Sequence, residues 1–358
     1  MMVFLRDLFH IGCKNIRVAG KQQKKFAAAY FCSMMTTIGT DIRMAAELLN
    51  AGNLVAIPTE TVYGLAANAL DESAVVRIYS VKNRPQFNPL ILHVANIGQL
   101  EKLQLRLPAA AQQLAERFSP GPLTYVIPTS PLIPGIVTAG TPAVAIRIPQ
   151  HPLTLELLRQ LDFPLAAPSA NPSGYVSPTT AQHVAEQLAG KVSYILDGGT
   201  CEVGLESTII SFLEEKPRLL RFGGMPVEAI EAVIGKVDLP ESGFVDNPVA
   251  PGMLARHYAT RHPLLLGDAA DLVSRARSQN PGTRIATISL SRTFNAIPAT
   301  HQFILAEDGN LEEAARKLFH AMRLADTMDI DLIIADKFPD SGLGKAINDR
   351  LRRASTPD

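Results

Sequence analysis

Residues 41–65 read DIRMAAELLNAGNLVAIPTETVYGL, and this stretch sets the pattern for everything downstream. Thr40 or Asp41 can cap a helix whose apolar face is Ile42, Ala45, Leu48 and Leu49, and Gly52 can stop it. Leu54–Ile57 then forms a short apolar run that ends at Pro58, which suits a buried strand. The polar turn that follows, Pro58–Leu65, carries hydroxyls, a carboxylate, Tyr63 and Gly64. Helix, buried strand and polar turn together are the unit of an α/β sheet protein with its chemistry at the strand ends.

The same alternation continues to about residue 235. Apolar runs at Leu90–Val94, Leu123–Ile127, Val144–Ile148, Leu165–Ala167, Tyr194–Leu196, Ser207–Phe212 and Arg218–Arg221 read as strands. Helical stretches separate them at Ser73–Val81, Pro108–Phe118, Pro152–Leu161, Pro178–Leu188 and Pro226–Ile234. Residues 35–236 are therefore expected to form one domain with a twisted, mixed sheet. Pro240, Gly243, Pro248, Pro251 and Gly252 break the rhythm and mark residues 237–262 as a linker. Its segment PGMLARHY, Pro251–Tyr258, is too rich in polar and aromatic groups for a plain spacer. The rhythm returns over 263–358 as a smaller, Rossmann-like α/β domain without a G-x-G-x-x-G turn.

Composition bounds the function. Of 358 residues, 47% are hydrophobic and 19% charged, so the chain can bury large cores and is not a disordered polymer. Lys plus Arg equals Asp plus Glu, 34 each, which argues against a general nucleic-acid coat. The balance is uneven: residues 1–34 hold six basic side chains against Asp7 alone, and read as an extension ahead of the ordered sequence. No apolar run is long enough for a membrane span. Three scattered cysteines suit a reducing cytosol and give neither a disulfide framework nor a zinc site.

The polar clusters fall where strands end. KNRPQFNPL, Lys82–Leu90, places two cations at a helix C-terminus. In AIRIP, Ala145–Pro149, Arg147 interrupts an apolar strand and needs either a carboxylate or an anionic ligand. APSANPSGYVSPTT, Ala167–Thr180, offers backbone N–H groups and hydroxyls ahead of a helix. DGG with GLESTI, within Asp197–Ile209, and LLRFGG, Leu219–Gly224, add glycine turns and Arg221. Four cations and many hydroxyls in one domain suit a polyanionic nucleotide. There is no G-x-x-x-x-G-K-[ST] and no G-x-S-x-G, so neither a P-loop ATPase nor a serine acyl-transfer site is supported.

TETVYGL, KNRP-x-x-NPL, AIRIP, PSAN-x-SG, GLESTI and LR-x-GG, in that order, resemble the YrdC-type threonylcarbamoyl-AMP synthases. PGMLARHY and the ending GLGKAINDRLRRA, Gly342–Ala354, are similar to the long, two-domain members; the linker ends HYAT where the family usually has HYAP. The resemblance implies a sheet with a basic concave face. It also implies a reaction in which L-threonine, bicarbonate and ATP, with Mg²⁺ on the nucleotide, give threonylcarbamoyl-AMP and pyrophosphate. The product then passes to the machinery that modifies an adenosine of tRNA. By the family's pattern Thr61, His93, Arg147, Ser169 and Ser207 hold threonine. Lys82 and Arg84, with Asn88, Asn171, Thr179 and Arg221, hold ATP and the carboxyl being transferred. The backbone at Ala143 touches the nucleotide, and the linker, through Arg256, His257 or Tyr258, closes over the site. No metal ligated by protein side chains is expected, nor a membrane or a stable nucleic-acid complex, and the place is the cytoplasm. Two rivals remain: an RNA-binding module with a secondary nucleotide site, and a carbamoyl-transfer protein such as those of hydrogenase maturation. The latter carry acylphosphatase-like and zinc-finger segments that this sequence lacks.

Overall fold

A computed structural model describes residues 36–240, 250–251 and 257–356. The basic segment 1–34, Arg256 and most of the linker lie outside the described residues. Asp41 is the helix cap: its carboxylate accepts from the backbone N–H of Arg43 at 2.9 Å and of Met44 at 3.3 Å. The helix Ile42–Asn50 buries Ala45 and Leu49, and Gly52 follows at φ +76°.

The first sheet has ten strands. In chain order they are β1 (Thr37–Gly39), β2 (Val55–Ile57), β3 (Gly64–Asn68), β4 (Ile91–His93), β5 (Leu123–Pro128), β6 (Ala143–Arg147), β7 (Leu165–Ala166), β8 (Tyr194–Leu196), β9 (Thr208–Ser211) and β10 (Arg218–Arg221). Their order across the sheet is β1-β8-β2-β3-β7-β4-β6-β5-β9-β10, with parallel and antiparallel pairs mixed as expected. Two strands were not anticipated. β1 pairs with β8 in parallel, and β3 continues directly from the polar turn to pair with β2 and β7. The sequence of β3, GLAAN, has little strand propensity, and its neighbours on both sides supply the pairing.

Register places the site. His93 of β4 lies opposite Arg147 of β6, which lies opposite Thr124 of β5. Thr124 in turn faces Ile209 of β9, and Ile209 faces Arg221 of β10. Residues paired in this way project from the same face, so His93, Thr124, Arg147 and Arg221 form one row. Small apolar residues of the same face, Ile91, Ala143 and Ala145, cluster with Ala250 beside that row. The opposite face, with Leu92, Tyr125, Ile146 and Leu219, enters the main apolar core.

The second sheet is all parallel. It contains β11 (Leu264–Gly267), β12 (Ile285–Ser289), β13 (Gln302–Ile304) and β14 (Leu332–Asp336), in the order β11-β14-β12-β13. The helix Ala269–Gln279 packs on Ile285 and Ile334, while the helices Leu311–Thr327 and Leu343–Ala354 cover the face bearing Ile333 and Ala335. Both faces are covered, as parallel sheets require.

The two sheets share a core: Val62, Val176 and Leu205 pack with residues of the second sheet and its helices. The backbones meet at Gly204, whose φ is +76° and where an added Cβ would fall 2.4 Å from Arg316 Cα. Gly204→Ala is therefore expected to force the domains apart. The left-handed backbone alone costs about 1–2 kcal/mol, and the clash adds to it. Thermal denaturation should show a fall in Tm of several degrees; an unchanged Tm would mean that the interface tolerates a wider spacing.

Candidate active site

The row on the sheet opens into a cleft. Seven sequence-predicted residues line it: Arg84, His93, Arg147, Ser169, Ser207, Arg221 and Tyr258. Thr59, Glu206, Pro251 and His257 complete its polar wall.

Arg147 ends β6 almost fully buried, and its partner is a carboxylate: Nη2 lies 2.8 Å from Glu60 Oε1, with both side chains 4% exposed. The other Glu60 oxygen accepts the Gln150 N–H at 3.0 Å, and Arg147 Nε donates to the Gly121 carbonyl at 3.3 Å. The contact at 2.8 Å is ionic rather than well aligned, because neither Arg147 Nη2 nor Glu60 Oε1 makes a hydrogen bond among the described residues. Arg147 lines the cleft, and its Nη2 keeps hydrogen-bonding capacity there. The carboxylate was an open alternative in the sequence; its identity was not readable, since Glu60 and Arg147 are distant in the chain.

Arg221 Nη2 donates to the Ser207 carbonyl at 2.7 Å and reaches the Ser207 hydroxyl at 3.3 Å, while its Nη1 donates to the Pro251 carbonyl at 3.3 Å. The Ser207 hydroxyl is 2.7 Å from that of Thr124. Burial lowers the pKa of the Arg221 guanidinium, and Arg350 and Arg147 lower it further against Tyr258 and Glu206. His93 closes the row: its Nδ1 faces the Ile91 carbonyl at 3.2 Å, so the proton sits on Nδ1 and Nε2 is an acceptor. Burial, reinforced by Arg147, lowers the pKa of His93 to about 3.

Arg84 follows Asn83, which ends the helix Glu72–Lys82 at φ +50°. Its Nη2 donates to Asn88 Oδ1 at 2.6 Å and to the Pro89 carbonyl at 2.8 Å, and its Nε to the Asn88 carbonyl at 3.1 Å. Burial lowers its pKa to about 10, with Arg221 adding to the fall and Tyr79 opposing it. Arg84 is thus not a surface group at a helix end: it is 8% exposed and ties the turn that carries Asn88. Arg84→Ala is expected to cost stability as well as activity. A lost charge-assisted contact is worth about 1.5–3 kcal/mol, about 10- to 150-fold in kcat/KM. A variant within twofold of wild type would remove Arg84 from the site.

Six predicted residues lie behind the wall rather than on it. The Lys82 ammonium donates to the carbonyls of Ser169 at 2.6 Å and Asn171 at 2.5 Å, holding the loop Ala167–Thr180 from beneath. Burial, then Arg84, pushes its pKa well down. Asn171 donates to the carbonyls of Pro172 and Tyr175 at 3.0 and 2.8 Å. Thr179 pairs with His183 Nδ1 at 3.3 Å, and Thr180 caps the helix Ala181–Leu188. Thr61 shares its hydroxyl with Thr59 at 2.7 Å, and it is Thr59 that lines the cleft. Ala143 lies at the start of β6, pairing with Pro128 of β5. Asn88 reaches the cleft through Arg84.

The end of the linker does two things at once. His257 and Tyr258 line the cleft; Tyr258 also packs between the domains, and the His257 N–H reaches the Arg353 carbonyl at 3.5 Å. Tyr258 is fully buried, stacks on Phe319 at 5.4 Å and lies 5.1 Å from the Arg350 guanidinium. Its φ of +64° is unusual for an aromatic residue and is held by that packing. The Tyr258 hydroxyl and His257 Nδ1 have no hydrogen-bond partner among the described residues. Glu60, Glu206 and Thr124 escaped the sequence reading of site residues. The first two stood inside quoted motifs as carboxylates, where a cationic site gives no reason to single them out; Thr124 is a lone hydroxyl in an apolar strand.

A buried row of guanidinium groups and hydroxyls, fed by glycine turns, defines a protein that holds a small anionic molecule. Its cations are enclosed, whereas RNA tracks run over exposed surface. Residues 47–223 match a family model described as telomere recombination, covering the YrdC-type domains, and residues 225–356 match the threonylcarbamoyl-AMP synthase C-terminal domain. A threonylcarbamoyl-AMP synthase of Pyrococcus abyssi is 45% identical over 88% of this chain and 94% of its own. One of Bacillus subtilis is 42% identical over 90% and 94%. A crystal structure of P. abyssi Sua5 with L-threonine superimposes with a TM-score of 0.83 at 44% identity, covering 90% of this chain and 97% of that one. The chain belongs to the threonylcarbamoyl-AMP synthase family, in its two-domain form.

Proposed function

We propose that the cleft makes threonylcarbamoyl-AMP from L-threonine, bicarbonate and ATP, as a nucleotidyltransferase whose product serves threonylcarbamoylation of a tRNA adenosine. The observation that carries this reading is the in-register row His93–Arg147–Thr124–Arg221 at the cleft. It brings an imidazole, a hydroxyl and two guanidinium groups to one face.

The neutral threonine amine adds to the carbon of bicarbonate, which loses water, or to CO₂, with loss of a proton to solvent, and gives a carbamate. A carbamate oxygen then attacks the α-phosphorus, and pyrophosphate leaves. The protein needs no covalent intermediate; its work is positioning and charge stabilisation. Arg147 Nη2, which makes no hydrogen bond among the described residues, suits the threonine carboxylate. His93 Nε2 and the hydroxyls of Thr59, Ser169 and Ser207 suit its amine and hydroxyl groups. Arg84 and Arg221 suit the phosphates. Lys82 acts one step back, fixing the loop that presents Ser169. Burial of the row excludes water from an adenylate that water would destroy.

Mg²⁺ would supply charge neutralisation on the departing pyrophosphate. The carboxylate of the cleft wall, Glu206, and the one behind it, Glu60, are engaged by Arg350 and Arg147, so the ion would travel on the nucleotide's own oxygens. Among the described residues no three His, Cys, Asp or Glu side chains gather into a metal site, and no helix is long and apolar enough to cross a membrane. ATP, threonine and tRNA share the cytoplasm, which is the expected place of the reaction.

The test is pyrophosphate release with each substrate omitted in turn. Release should require all three. Equal release without threonine would replace a synthase with a pyrophosphohydrolase.

A further inference from the structure

The ending Gly342–Ala354 carries the last helix of the second domain, Leu343–Ala354, and one of its residues pairs with a side chain of the cleft wall. Arg350 is fully buried. Its Nε donates to Glu206 Oε2 at 2.9 Å and its Nη1 to Asp349 at 3.0 Å. Glu206 lines the cleft, and its other oxygen accepts the Ser177 hydroxyl at 2.5 Å. A carboxylate in the wall of a polyanion site works against its ligand unless its charge is cancelled. The groups facing it are Arg221 from β10, His257 and Tyr258 from the linker, Ser177 from the loop and Arg350 from the second domain. Arg221 spends its hydrogen bonds on the carbonyls of Ser207 and Pro251 and on the Ser207 hydroxyl. His257 has its pKa lowered to about 3, chiefly by burial, and is neutral. The salt bridge that cancels Glu206 therefore comes from Arg350.

We propose that Arg350 is a positioning residue of the cleft: by pairing with Glu206 it removes a negative charge that would otherwise face the phosphates, so the docked second domain sets the nucleotide affinity of the first. This rests on reading the cleft as an ATP site. Desolvation works against the Glu206 charge, but Arg350, then Arg221, Ser177 and His257, hold its pKa down at about 2. Glu206 is therefore ionised across the working range of pH, and its partner is needed throughout. Tyr258, beside Arg350, ties the same helix to the linker end.

The test is ATP binding by calorimetry on the full-length chain. Arg350→Met should weaken ATP by about 10- to 100-fold, the size of a like charge about 6–12 Å from a phosphate at an effective dielectric of about 20. Without Arg350 the Glu206 carboxyl should titrate in a higher range. The ratio of variant to wild-type affinity should then recover as pH is lowered through that range. The double variant Arg350→Met with Glu206→Gln should regain most of the lost affinity, because a neutral pair replaces an orphaned charge. A purely structural Arg350 would give neither the pH-dependent ratio nor the rescue. Wild-type affinity in Arg350→Met, or a folded double variant that binds as poorly as the single one, would overturn the proposal. Should the single variant not fold, the double variant decides alone. Failure of wild type itself to bind ATP would count against the proposed function instead.

Discussion

Arg147→Met is expected to lose about 3–5 kcal/mol of stability and most of the activity. Removing one member of a buried pair leaves the other as an uncompensated charge, and that is the cost range for such losses. Here the orphan is Glu60, with one oxygen bound to the Gln150 N–H and the other facing only Arg147. The activity loss has a separate origin. Arg147 stands between His93 and Thr124 in the row, and its Nη2 is the group proposed to meet the threonine carboxylate. A charge-assisted contact of about 1.5–3 kcal/mol corresponds to about 10- to 150-fold. The two effects separate in the double variant Arg147→Met with Glu60→Gln, where no charge is left unpaired. Its denaturation midpoint should return toward wild type while threonine binding stays lost. A single variant as stable as wild type would show that Glu60 does not depend on Arg147.

Mild acid should destabilise the protein steeply, through histidines that are buried neutral. His93 and His257 both have pKa values lowered to about 3, burial being the main cause. An unfolded histidine titrates near pH 6.5. Between these values the unfolded chain binds protons that the folded chain does not, so stability falls as pH falls from about 6.5 toward 3. At pH 5 each site should have lost about 2 kcal/mol relative to neutral pH, about 4 kcal/mol together. That is a large fraction of a typical stability of about 5–15 kcal/mol. Urea midpoints at neutral pH and at pH 5 measure it. His93→Gln should show about half the drop from these two sites; an unchanged drop in that variant would move the acid sensitivity elsewhere.

Much of the architecture was legible because apolar runs and polar turns alternate along the chain. The stretch from Asp41 to Ile57 behaves as its periodicity predicts, with Asp41 the cap. β1 and β3 were not legible, one being three residues at a sheet edge and the other GLAAN, in which only pairing creates a strand. In the site, contiguous motifs announced Arg84, Arg147, Ser207 and Arg221. What no local pattern could give were partners far apart in sequence: Glu60 for Arg147, Glu206 for Arg350, and the carbonyls of Ser169 and Asn171 for Lys82. These depend on sheet register and domain docking. For Tyr258 the sequence left open a lid over the site or a dock between the domains, and the fold seats it on Phe319 between them.

The central claim is that one cleft joins threonine, bicarbonate and the adenylyl group. The most direct measurement is the mass of the nucleotide product formed from ATP, L-threonine and isotopically labelled bicarbonate. The expected product is an adenylate containing both threonine and the labelled carbon, formed together with pyrophosphate and absent in Arg147→Met. AMP alone, or an adenylate of threonine without the label, would contradict the account.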